Sequence, residues 1–154
     1  AVFGVSEDPF IVYTSNMFAI LGLRAWYGVL ARAAQELEYL ETAVAVDIAP
    51  AAAEYGTINS GDPIVGVRDS RGLYDERIIG RFDQLATKHG FAIQTAVLTS
   101  YSSDSTIAKT SGSVGRAALI GYPGDNTHGY EICSWDGIVN TAQLLLAYLE
   151  DPAI

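Results

Sequence analysis

The chain has 154 residues, 49% of them hydrophobic and 18% charged, and carries a formal net charge of −9. It is long enough to bury a sizeable core in one domain and too apolar for a disordered tail. The acidic balance excludes non-specific nucleic-acid binding, which needs a basic surface.

The start shows neither an initiator Met nor a secretory signal pattern, the expectation for a fragment or a processed piece. Residues 10–31 form the longest apolar stretch, interrupted by Thr14, Ser15, Asn16 and Arg24. About 20 apolar residues suffice to span a bilayer, but an arginine inside a span costs about 2.5–3.5 kcal/mol on insertion scales. The stretch is therefore predicted as a helix that either meets a membrane or is buried in a soluble protein. Residues 32–42, rich in Ala, Glu and Leu, read as a helical linker containing Glu36, Glu38 and Glu41.

Residues 43–49 read as a buried strand, short, apolar and stopped by Pro50. A loop with Gly56, Asn59, Gly61 and Pro63 as turn formers leads to a second short strand over 64–67. Leu73, Ile78, Ile79, Phe82, Leu85 and Ala86 recur at helical spacing, predicting an amphipathic helix over 74–89 with Gly90 as its stop. Residues 91–98 read as a strand. Ser103 and Asp104 suit the N-cap of a helix reaching about Thr110. Residues 116–122 form another strand, ended by Pro123 and Gly124. Ile138, Val139, Ala142, Leu145, Leu146 and Leu149 lie on one face of a closing helix over 135–150, capped by Ser134 or Asp136. Strands alternating with amphipathic helices predict an α/β fold with a mostly parallel sheet. Cys133 is the only cysteine, so no intrachain disulfide can form, and a reducing, cytoplasmic setting is expected. No His or Lys lies near enough in sequence to activate its thiol.

Two residues stand out chemically. Asp47 is a lone carboxylate in a run of Ala, Val and Ile, where it must be paired, hydrogen-bonded or metal-bound. His128 lies in a polar loop that follows the apolar run 117–122. Both types ligate zinc, and both are expected where strands reach the rim of an α/β sheet. The bland alternatives are an Asp accepting backbone amides and a surface-loop histidine. His89 falls at a helix C-terminus, where the helix dipole favours a cation, and is given no chemistry. No Gly-x-Ser-x-Gly elbow, P-loop, Gly-x-Gly-x-x-Gly or His-Glu-x-x-His occurs. A metal site must therefore draw on distant segments.

From about residue 44 the chain resembles the C-terminal part of the dinuclear zinc aminopeptidases of the glutamyl-aminopeptidase family, also known as endoglucanase or cellulase M. The likeness rests on Val44-Ala45-Val46-Asp47-Ile48-Ala49-Pro50, Gly61-Asp62-Pro63-Ile64-Val65-Gly66, Ser103-Asp104, Arg116-Ala117-Ala118-Leu119-Ile120-Gly121 and Asp125-Asn126-Thr127-His128-Gly129-Tyr130-Glu131. It implies that Asp47 binds one metal and His128 the other, that zinc or cobalt is the cofactor, and that the substrates are peptides with free N-termini. It also implies a glutamate base acting on a metal-activated water. The family's remaining ligands and its glutamate pair precede the strand bearing Asp47. Here Gln35-Glu36 makes Glu36 the candidate base, although Leu37 replaces the second glutamate and the gap to Asp47 is short.

Residues 8–24, Asp8-Pro9-Phe10-Ile11-Val12-Tyr13-Thr14-Ser15-Asn16-Met17-Phe18-Ala19-Ile20-Leu21-Gly22-Leu23-Arg24, resemble instead a transmembrane segment of the TerC family of integral membrane proteins. The two resemblances belong to unrelated folds, which predicts a composite or a fragment. The expected organisation is an apolar helix over 1–31, a helical linker over 32–42 and a partial metallopeptidase-like domain over 43–154. The expected function is a metal-dependent aminopeptidase-type hydrolase with an incomplete catalytic set, able to form a homo-oligomer. The alternatives are a membrane-associated TerC-type protein contacting the bilayer through residues 10–31, and a non-catalytic α/β interaction module.

Overall fold

The structure is a computed structural model and describes residues 2–3, 10–14 and 40–151, with side chains over 41–151. Its strands are β1 (Val2–Phe3), β2 (Phe10–Thr14), β3 (Leu40–Pro50), β4 (Ile64–Asp69), β5 (Gln94–Leu98), β6 (Val114–Asp125) and β7 (Ile132–Cys133). Its helices are α1 (Glu76–His89), α2 (Asp104–Thr110) and α3 (Trp135–Glu150). The strands form one seven-stranded sheet in the order β1-β2-β3-β6-β4-β5, with β7 paired to the end of β6.

The sheet is mixed, which corrects the expectation of a mostly parallel one. β2, β3 and β6 run parallel, as do β4 and β5, but β4 is antiparallel to β6. The reason lies in the connection after β3. Residues 51–63 contain only a single 3-10 turn, Ala53–Tyr55. A parallel return usually needs a crossover helix, so the chain turns back from the rim it has just reached. Gln94 then ties this connection to β5, donating to the carbonyls of Ile58 and Asp62 and accepting from the Ile58 amide.

A second correction concerns the N-terminus. Phe10–Thr14, the described part of the expected 10–31 helix, is a strand paired in parallel with β3, with Ile11 opposite Ala43. β-branched Ile11, Val12 and Thr14 suit a strand better than a helix. The rest of that stretch and the 32–39 linker lie outside the described residues. No helix among the described residues is long and apolar enough to cross a membrane.

The sheet has a core on each face. On one, Val44, Val65, Ala118 and Ile120 pack against Ile78, Phe82, Leu85 and Ala86 of α1 and Leu144, Ala147 and Tyr148 of α3. The Phe82 and Tyr148 rings meet at 5.0 Å between centroids, tilted by 58°, a favoured aromatic geometry. On the other face Ala45, Ala49, Ile64, Ala96, Leu98, Ala117 and Leu119 pack with Tyr74, Tyr55 and Tyr101. α1 begins at Glu76, two residues later than expected, because Asp75 caps it by accepting from the Arg77 amide. Tyr74 turns instead to the opposite face. Its ring lies where a Cβ on Gly66 would stand, at 2.6 Å, so Gly66 makes that packing possible.

Candidate functional site

β3 and β6 pair in parallel register from Leu40↔Val114 to Pro50↔Gly124. This is the arrangement expected of the two strands that carry the candidate residues. Asp47 sits opposite Gly121, three residues inside the strand end and not at it, about 10 Å back at roughly 3.3 Å per residue. Side chains alternate along a strand, so Asp47 shares the face of Ala45 and Ala49. Gly121 opposite it has no room for a side chain: a Cβ there would lie 2.6 Å from the Ala49 Cβ and 2.9 Å from the Asp47 carbonyl oxygen.

Both carboxylate oxygens of half-buried Asp47 are engaged. Oδ1 accepts from the Ile48 amide at 2.8 Å. Oδ2 accepts from the Tyr101 hydroxyl at 2.6 Å, across 54 residues of sequence. Burial, and then the adjacent Asp47 charge, push the Tyr101 phenol far above its ordinary value, so it stays a donor. Asp104, at the start of α2, is also raised, by burial first and by Asp47 second.

A second network holds Tyr101 in place. Asp69, fully buried at the end of β4, accepts from the Arg71 and Gly72 amides through Oδ1. Its Oδ2 accepts from Tyr74 at 2.7 Å, the Ser103 amide at 3.0 Å and Thr106 at 2.5 Å. Burial would raise the Asp69 carboxyl, but the hydrogen bonds from Thr106, Ser103, Tyr74 and Arg71 outweigh it and hold it below its ordinary value. Tyr74 itself is pushed up by burial and by its bond to Asp69. Ser103 caps α2 as expected, accepting from the Thr106 amide, and Ser105 anchors the helix by donating to the Ala118 carbonyl at 2.8 Å. The Tyr101 main chain is tied at both ends, its amide to Leu98 and its carbonyl to the Ser70 amide.

His128 lies beyond the sheet, in the turn of the hairpin that pairs Gly124 with Cys133 and Asp125 with Ile132. It is exposed and left-handed, with φ 67°, and its amide donates to Glu131 Oε1 at 3.1 Å. The base of the hairpin is clamped by Asn59, which donates to Asp125 Oδ2 at 2.9 Å and to the Ile132 carbonyl at 3.0 Å and accepts from the Ser134 amide at 3.0 Å.

Asp47 and His128 thus belong to neighbouring strands and their extension, but no hydrogen bond joins them among the described residues. Glu36 lies outside those residues. No group of three or more His, Cys, Asp or Glu side chains placed to hold a metal occurs among the described residues. Catalytic zinc takes three protein ligands, so the donor set described here does not by itself fit a metal. The sequence pattern did not reveal Tyr101, Asp69 or Asn59. Of these, only Asn59 is marked, as a turn former of the loop after β3, and that signal gives no sign of its clamp on the hairpin.

Comparison with known proteins bears on the same region. The family model for the M42 glutamyl aminopeptidases matches residues 28–144. Among solved structures, a TET aminopeptidase from the marine sediment archaeon Thaumarchaeota archaeon SCGC AB-539-E09 superposes with a TM-score of 0.72 at 14% identity, covering 85% of this chain and 37% of that one. An aminopeptidase from the archaeon Desulfurococcus kamchatkensis gives 0.70 at 17% identity, covering 79% and 37%. The Pyrococcus horikoshii TET1 peptidase, which can assemble into a tetrahedron or a large octahedral shell, gives 0.64 at 18% identity, covering 77% and 37%. These likenesses establish the fold. A short N-terminal segment matches different proteins: the chloroplastic thylakoid membrane protein TERC of Arabidopsis thaliana is 61% identical over 46 residues, 30% of this chain and 12% of that protein. The putative membrane-bound redox modulator Alx of Escherichia coli (strain K12) is 56% identical over 46 residues, covering 30% and 14%. The chain therefore spans little more than a third of the solved aminopeptidases and about an eighth of these curated relatives.

Proposed function

Since this chain belongs to the M42 glutamyl aminopeptidase family, we propose that it is part of a metal-dependent hydrolase of peptides with free N-termini. Asp47 and His128 are its contribution to a zinc or cobalt centre. The observation that carries this reading is the parallel β3–β6 register. It sets Asp47 one strand away from the chain that runs through Gly121 and Gly124 into the His128 hairpin, inside the residues matched by the family.

The remaining ligands and the base must come from groups outside the described residues, with Glu36 the candidate base in this chain. The purified chain alone should therefore bind zinc weakly and turn over little or no substrate. Homo-oligomer formation fits the same reading, since one structural neighbour assembles into large shells. The fitting test is calorimetric titration with zinc on the wild-type chain and on His128→Ala, beside an assay with aminoacyl chromogenic substrates. Weak binding that depends on His128, without turnover, supports the proposal. Identical binding curves would remove His128 from the site, and robust turnover by the monomer would refute the incomplete catalytic set.

A second reading rests on the N-terminal identity to membrane proteins. In it residues before Arg32 associate with a bilayer and the rest is a tail outside it; in the first reading the protein is cytoplasmic. A detergent requirement that disappears when those residues are deleted favours the membrane reading.

A further inference from the structure

We infer that the open edge of β5 takes an extended peptide of alternating acidic and apolar residues as a further strand, with Arg68 receiving its carboxylates. The inference does not depend on a metal centre. β5 is the last strand of the sheet and pairs only with β4 among the described residues. The Gln94 amide donates to the Pro63 carbonyl at 2.8 Å. Alternate residues of a strand bond to the same neighbour. Gln94 and Ala96 therefore turn their amides and carbonyls to β4, and Thr95 and Val97 turn theirs outward. Edge strands usually blunt such a row with a charged side chain or a proline. Residues 90–103 contain neither.

The surface beside this edge fixes the chemistry of the partner. Arg68 lies between Val97 of β5 and Leu73, in register with both. All three are exposed, Leu73 by 63% and Val97 by 48%. Arg77, Arg81 and Arg116 each hold a carboxylate. The side chains of Arg68 and Arg71, both exposed, have no hydrogen bond or ion pair among the described residues. Lys109 adds a positive charge nearby, donating to the Leu73 carbonyl at 2.8 Å. In a chain of net charge −9 this is a local cationic strip. A strand added to β5 presents alternate side chains to each face. Carboxylates on the face of Val97 meet Arg68, whose guanidinium suits them. Apolar residues on the other face extend the layer of Ala96 and Leu98. A second copy of the chain fits less well. A symmetric pairing of β5 with itself is isologous and brings each Arg68 towards its own counterpart.

The test is fluorescence anisotropy of the full chain with a short labelled peptide of alternating Val and Glu. The same peptide N-methylated at alternate residues, which removes its backbone donors, and a peptide of alternating Val and Lys are the controls. Amide hydrogen exchange of the chain with and without the peptide locates the contact. The expected result is binding of the Val/Glu peptide alone, with slowed exchange at Thr95 and Val97. Affinity should fall about tenfold or more in Arg68→Glu, consistent with loss of hydrogen bonds between charged groups. Lys88→Glu, the same charge change at the C-terminal end of α1, should bind as the wild type does. Binding that ignores N-methylation or Arg68→Glu, an equal loss in Lys88→Glu, protection away from Thr95 and Val97, or no binding overturns the proposal. Protection of the same amides that grows with protein concentration in the absence of peptide assigns the edge to a second copy and overturns it too.

Discussion

Gly121 faces Asp47 across the β3–β6 rung, and the space above it is already taken. A methyl group there would stand 2.6 Å from the Ala49 Cβ and 2.9 Å from the Asp47 carbonyl oxygen. Neither neighbour is the flexible end of a long side chain, so the strands themselves would have to part. Gly121→Ala should therefore cost about 1–3 kcal/mol, the usual penalty of overpacking. Gly80 on α1 is the control, since a Cβ there meets nothing within 4 Å and Gly80→Ala should stabilise by up to about 1 kcal/mol. Urea denaturation of both variants checks the pair; a neutral Gly121→Ala would mean that β3 and β6 are less tightly packed than described.

Asp69 supports a pH prediction. Its folded-state value is held below the ordinary 3.8, so its contribution to stability is full above that value and is lost as pH falls through the lower folded one. Asp69→Asn should lower stability at neutral pH by about 3 kcal/mol or more, since a buried charged acceptor with several donors is being replaced. It should also flatten the acid limb of the stability curve. Denaturation midpoints measured from neutral pH down to the onset of acid unfolding read both effects. An unchanged acid limb in Asp69→Asn would exclude Asp69 as its source.

Asn59 holds the loop after β3 to the hairpin carrying His128 by bonds to Asp125, Ile132 and Ser134. Asn59→Ala should cost about 1–3 kcal/mol, since it leaves a part-buried acceptor and amide unpaired. The local consequence is sharper: amide hydrogen exchange should accelerate over 125–134 while β3 and α1 keep their protection. Uniform acceleration across the sheet would show that the clamp acts globally instead.

How far the sequence reveals this fold depends on the range of the interaction. β3, β6, α1 and α3 declare themselves because apolar runs and helical periodicity are local signals; α3 occupies 135–150 as expected, but it buries Thr141, Leu144, Ala147 and Tyr148 and leaves Ala142 and Leu146 of the expected face exposed. The direction of β4 does not, because it follows from a connection without a helix, tied down by Gln94. Phe10–Thr14 pairs with β3, yet a continuous apolar run has no period to distinguish helix from strand. Its β-branched residues were the available cue. At the candidate site Asp47 is conspicuous as the lone charge in the apolar run 43–49. Its partner is not, because Tyr101 stands among serines 54 residues away and only tertiary packing brings the two together.

The most direct test of the central claim, that Asp47 and His128 serve one metal centre, is X-ray absorption at the zinc edge of the loaded chain. Wild type, Asp47→Ala and His128→Ala would be compared, with His89→Ala as the control for the other histidine. The account predicts imidazole nitrogen and carboxylate oxygen scattering at about 2.0–2.2 Å, with the imidazole contribution lost in His128→Ala, the oxygen contribution reduced in Asp47→Ala, and neither changed in His89→Ala. A spectrum that the Asp47 and His128 substitutions leave unaltered would contradict it.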